Sequence, residues 1–190
     1  MIHGGEEPVV VMGSQIAQNE EDQTLLGSWV KEAVKNNFYF KLLYRGSRDG
    51  FGAADFHAKC DAIEHTVTII KTSDGHVCGG YAKEAWRSTK EDAPLVDPKA
   101  FVFSLSRHVK CAEQSNMNSV CHNALRGPTF GYEEAYGYDI AVADRCDKES
   151  SVFAGNNTYK LPADSDSDFF TGSEGYNVAE IEVHQCIIQS

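Results

Sequence analysis

The sequence predicts an α+β domain that is mostly β, a central β-sandwich of antiparallel strands flanked by a few helices. The first observation is a series of short runs rich in β-branched and aromatic residues, separated by Gly, Asp, Asn and Pro turn signals. The second is that only two segments carry apolar residues at helical spacing. The third is size and composition. The chain has 190 residues, 42% hydrophobic and 24% charged, which suits one soluble domain able to bury its core without staples.

Residues 1–13 read as an N-terminal extension with a short strand at Val9–Met12, and 14–190 as the single domain. Ser14 to Asn36 reads as a helix. Leu25, Leu26, Trp29, Val30, Ala33 and Val34 form its apolar face, and Glu20, Glu21 and Asp22 suit its positive N-terminal end. Phe38 to Tyr44 is aromatic and apolar, hence a strand. Gly50 and Gly52 punctuate before a second helix, Ala53–Asp61, with Phe56 and Cys60 on one face. Thr66–Lys71 and Val77–Tyr81 form a hairpin about Ser73-Asp74-Gly75, where Gly tolerates a positive φ. Gly79 and Gly80 inside a strand predict a bulge or a close backbone approach. Residues 87–99 are polar, with Pro94 and Pro98, and read as a loop. Phe101–Leu105 is a strand, 107–126 is irregular, and Tyr138 to Ala143 is a strand after a turn at Gly127. Residues 145–175 read as loops, and Tyr176–Ile188 as the last strand.

The formal charge of −11 argues against nucleic acid and anionic membranes as ligands, since both demand clustered Lys and Arg. No apolar run approaches the ~18 residues of a membrane-spanning helix. The N-terminus M-I-H-G-G-E-E-P has neither a basic nor a long apolar signal region, so cytoplasmic residence is the expectation, with export by another route left open. The six cysteines are read as mostly reduced thiols, because Cys60, Cys78 and Cys186 fall on apolar positions of regular elements. Cys111, Cys121 and Cys146 are the pair-forming candidates in an oxidising setting.

Several motifs occur in a fixed order: L-L-Y-R-G-S-R-D-G-F (42–51), F-H-A-K-C-D (56–61), T-V-T-I-I-K (66–71), G-G-Y (79–81) and Trp86. A-F-V-F-S-L (100–105), G-P-T-F-G (127–131), Y-D-I (138–140) and V-A-E-I-E-V (178–183) follow. In this set the chain resembles the TLDc domain, the module of the oxidation resistance proteins. The resemblance implies a β-sandwich with helices at its edge. It also implies a non-enzymatic role in protein contacts, in oxidative-stress protection or in regulating the vacuolar proton-pumping ATPase. It brings no catalytic residue, and assigns Arg45, Asp49, Gly50, Gly79, Gly80, Gly127, Pro128, Glu180 and Glu182 to the framework. Two departures stand out: Cys78 where the family has a bulkier apolar residue, and the insert Glu133-Glu134-Ala135-Tyr136. The LysM, BTB and Rab-GTPase-activating modules often joined to this domain are not in the sequence, so it reads as a stand-alone domain.

Other constellations compete with the framework reading. Asp164, Asp166 and Asp168 have the spacing of a calcium loop, but Phe169 and Gly175 stand where an EF-hand needs Gly and Glu. A looser Ca2+ site remains as an alternative to no cofactor at all. His57 with Cys60, and Cys121 with His122, can be drawn as a zinc site. Glu180 and Glu182 share one strand face, where they can accept hydrogen bonds from Arg45, Arg48 or His57. Trp86, Tyr132, Tyr136 and Tyr138, with Glu133, Glu134 and Asp139, suggest a carbohydrate site. Glycans are thus the alternative partner, and a soluble lectin the alternative function. Asn156-Asn157-Thr158 is a glycosylation sequon, relevant only to a secreted chain.

Overall fold

The computed structural model describes residues 13–114, 117–153 and 158–189. The expected strand at Val9–Met12 and the sequon residues Asn156 and Asn157 lie outside these. Three helices are described: α1 (Glu20–Val34), α2 (Gly46–Asp49) and α3 (Ala53–Cys60). The strands are β1 (Phe38–Arg45), β2 (Thr66–Thr72), β3 (Val77–Ala82), β4 (Ala93–Val96), β5 (Phe101–Ser104) and β6 (Val109–Ala112). They continue with β7 (Asn118–His122), β8 (Thr129–Phe130), β9 (Ile140–Ala141), β10 (Ser151–Phe153), β11 (Gly175–Tyr176) and β12 (Val178–Ile188). Among the described residues no helix is long and apolar enough to cross a membrane.

Two six-stranded antiparallel sheets result, in the orders β1-β12-β2-β3-β5-β6 and β11-β10-β9-β8-β7-β4. One core fills the sandwich, with Ile70, Val102, Ile181 and Val183 from the first sheet meeting Val120, Phe130, Ile140 and Phe153 from the second. A second core lies on the other face of the first sheet. There α1 buries Leu26, Trp29 and Val30 among Phe40, Val67, Ile69, Tyr81 and Phe103. Residues i and i+2 share a strand face, so β12 can send Ile181 and Val183 into one core and Cys186 into the other.

The first helix is shorter than its sequence predicts. Asn19 caps it by accepting from the Asp22 amide at 2.8 Å, and Lys35 ends it in the left-handed region at φ 67°. Residues 13–18 instead form a strap, because Ser14 accepts from the Ile16 and Ala17 amides and donates to Glu182 at 2.7 Å. The loop expected at 87–99 contains β4, and the irregular stretch 107–126 contains β6 and β7. β4 lies at a sheet edge, where Pro94 is tolerated.

Gly79 and Gly80 serve close approach rather than a bulge, since the β2–β3 register runs unbroken from Thr66↔Ala82 to Lys71↔Val77. A Cβ on Gly79 would overlap the Thr68 carbonyl, and one on Gly80 would lie 2.6 Å from the Phe130 ring. Gly80 is thus where the second sheet's Phe130 seats on the first.

Candidate functional site

The framework residues form a buried polar knot. Glu182, on β12, is fully buried. It accepts from Ser14 Oγ, the Gln15 amide at 2.8 Å, Arg45 Nε at 2.9 Å and His184 at 3.1 Å. Burial works against its charge, but the bonds from His184, the Gln15 amide and Ser14 win and hold it down to about 2. Of the three partners expected for the Glu pair, only Arg45 is used by Glu182. Arg48 pairs with Asp49 at 2.6 Å, and His57 with Asp61 at 2.7 Å. Glu180 accepts from the Ser47 amide at 3.1 Å. Asp49 accepts from the Arg45 amide, and Tyr44 donates to the Gly50 carbonyl at 2.7 Å. The Gly127 amide donates to Val142, and Pro128 leads into β8. These groups close corners of the fold.

The carbohydrate constellation is not gathered on the surface. Trp86 is 1% exposed, packs edge-on against Phe56, Phe130 and His122, and donates to Thr66 Oγ1 at 2.9 Å. It cannot stack on an external ring. Asp139 is also 1% exposed and accepts from the Thr158 amide at 2.9 Å. Glu134 and Tyr136 do face water, and Glu133 is half-buried.

The acidic run lies on the surface. Asp164, Asp166 and Asp168 are all exposed. Asp166 and Asp168 offer backbone carbonyls to the Phe169 and Gly172 amides, while Arg107 donates to the Phe169 carbonyl at 2.7 Å. Among the described residues no group of three or more His, Cys, Asp or Glu side chains is placed to hold a metal ion. This covers both the aspartates and the His57/Cys60/Cys121/His122 set, whose His57 Nε2 instead donates to the Asn123 and Arg126 carbonyls at 3.0 Å.

A different surface is built where the β7–β8 and β8–β9 loops meet the entry to β4. Asp92 accepts from Asn123 at 2.7 Å, from Arg126 at 2.6 Å and from the Tyr138 hydroxyl. Arg126 also bonds the Tyr138 hydroxyl, and its guanidinium lies 4.5 Å over that ring. Tyr132 packs beside Tyr138 at 5.6 Å. Burial works against the Asp92 charge, yet bonds from Tyr138, Asn123 and Arg126 leave its carboxyl below the usual range. Burial and the Asp92 bond push the Tyr138 hydroxyl well up. The same two loops expose two large apolar side chains, Leu125 at 73% and Tyr136 at 68%. Sequence reasoning found Tyr136 and Tyr138 but missed Asp92, Asn123, Leu125 and Arg126, which are far apart in the chain and share no motif.

The comparisons agree with this architecture. The fold and its framework knot define a β-sandwich domain of the TLDc type, and the family model described as TLDc domain matches residues 11–187. The chain belongs to the TLDc domain family. It is also similar to TBC1 domain family member 24 of Xenopus tropicalis, 27% identical over 142 residues. That match covers 70% of this chain and 24% of the relative, so the chain spans about a quarter of that protein.

Proposed function

We propose that this domain works by binding a protein partner rather than by catalysis, and that its docking surface is the Leu125/Tyr136 platform. The carrying observation is the exposure of these two side chains on loops fixed by the Asp92–Arg126–Tyr138 cluster. Leu and Tyr over a pre-organised Arg–Tyr base lose little freedom on binding, which favours affinity. Glu133 and Glu134 border Tyr136 in sequence, so a partner with basic groups beside an apolar socket is the complementary chemistry. Family membership supports the vacuolar proton-pumping ATPase as that partner, and oxidative-stress protection as an indirect consequence of binding. The buried thiols favour an indirect role over direct scavenging.

The test is pull-down of the proton pump from cell extract with the wild-type chain and with Leu125→Asp/Tyr136→Asp. Retention by the wild type and loss with the variant is expected. A wild-type chain that ignores the pump removes that partner, and a variant that binds as well as wild type removes the platform. The lectin alternative keeps Tyr136, Glu133 and Glu134 but loses Trp86 and Asp139 to the core. Specific signals on a glycan array would restore it.

A further inference from the structure

His122 ends β7 immediately before the loop that carries Leu125. It is 3% exposed, and neither ring nitrogen has a hydrogen-bond partner. The ring is wedged edge-on against Trp86 at 5.9 Å. A neutral imidazole tolerates that place poorly and an imidazolium worse, because a buried charge without a partner is expensive. The next residues are held on two sides: the Asn123 and Arg126 side chains donate to Asp92, and the backbone is tied to α3 and to the segment before β4. His57 Nε2 donates to the Asn123 and Arg126 carbonyls, the Ala124 amide donates to the Thr89 carbonyl, and Thr89 Oγ1 donates to the His122 carbonyl. β7 itself lies one strand from the sheet edge, with His122 opposite Ala93 of β4.

We propose that His122 is an acid-sensitive wedge: on acidification it takes up a proton, leaves its place against Trp86, and frees the Asn123–Arg126 loop from α3 and from the 87–89 segment. The consequence for partner binding rests on the docking surface proposed above; the opening itself does not. The titratable groups that face His122 are Arg87 and Glu84 on the segment around Trp86, and His57 with Asp61 at the end of α3. Asp92 and Arg126 act on the neighbouring Cys121. Burial is the largest influence and keeps the ring neutral below its ordinary value. Arg87 and His57 act in the same direction, against a weaker pull from Asp61 and Glu84. In the opened state the ring regains ordinary titration near 6.5, so each pH unit below that favours opening by up to tenfold.

The experiment is hydrogen exchange on the isolated chain at pH 7.5 and 5.5, with rates corrected for the intrinsic pH effect. Residues 121–128 should open more often at pH 5.5, by up to about tenfold, while β12 changes less. His122→Phe removes two unpartnered nitrogens and keeps a ring against Trp86, so the variant should fold and lose the acceleration. Equal acceleration in 121–128 and β12, or the same acceleration in His122→Phe, overturns the proposal. A second measurement needs no variant. The His122 ring, followed by NMR, should titrate below its ordinary 6.5, and a ring half-protonated at or above pH 6.5 overturns the wedge. No partner is present in either measurement, so failure of the docking surface would leave these results standing.

Discussion

Glu182 has no exposure to water, yet it stays ionised, because donors from the N-terminal strap, β1 and β12 itself converge on its two oxygens. Its folded value of about 2, against an ordinary 4.5, corresponds to roughly 3 kcal/mol of stabilisation. The sign follows from the depression. The contribution is complete above pH 4.5 and is lost as pH falls toward about 2. Glu182→Gln should therefore lower stability by about 3 kcal/mol at pH 7 in urea unfolding, with the gap to wild type closing between pH 5 and pH 2. A gap that stays constant over that range would remove the linkage. Two glycines test steric argument against conformational argument. Gly79→Ala puts a methyl group into the Thr68 carbonyl of the paired strand, which cannot move without breaking the sheet, and should cost about 3 kcal/mol or more. Gly75→Ala, at φ 89° with open space around it, should cost only the roughly 1–2 kcal/mol of left-handed backbone. Equal thermal shifts for the two would contradict this.

At the scale of elements, strands with long β-branched runs are legible because both of their faces are buried. Thr66–Lys71 is predicted and β2 observed almost residue for residue. β4, β6 and β7 are not legible. Each has only four or five residues, β4 contains Pro94, and β6 and β7 carry Lys110, Asn118 and Ser119. Their strand character comes from pairing with neighbours, not from local preference. The site suffers more from the same limit. Trp86 reads as a surface aromatic because the polar residues around it suggest a loop, yet its ring turns inward to Thr66. Asp92, Asn123 and Arg126 become one cluster only when β4 pairs with β7. Asp92→Ala should release Asn123, Arg126 and Tyr138 together. The expected cost is about 1–2 kcal/mol, since the charged bonds are partly open to water. Amide exchange should rise in 123–126 and 132–138 with little change in β2 or β12. Faster exchange spread evenly over the chain would mean that the cluster supports the fold and not the platform.

Across the whole molecule, the placement of the cysteines decides whether the folded domain offers a reactive thiol. Cys60, Cys78, Cys111, Cys121, Cys146 and Cys186 are all buried and none is paired. Burial alone pushes the Cys78 thiol up to about 12. For Cys111, Cys121 and Cys146 burial is again the main cause, and the values reach about 11, 11 and 12. Cys60 and Cys186 are pushed up further still. The thiolate is the reactive species, so at neutral pH the folded domain presents almost none of it, and peroxide or disulfide reagents meet no accessible sulfur. Cys60, Cys78, Cys111 and Cys146 lie in the sandwich core and Cys186 in the helix-side core. Reaction therefore requires opening of the fold, not fluctuation of a single loop. Cys121, one residue from His122, is the expected first exception under acid. The native chain should react with less than one equivalent of an aromatic disulfide reagent at pH 7.5 over hours, and with six in denaturant. Labelling in intermediate urea should follow the unfolding transition. A thiol that reacts within seconds in the native state would mark a redox site and return direct scavenging to consideration. Slow labelling that tracks unfolding would favour the proposed partner binding over thiol chemistry.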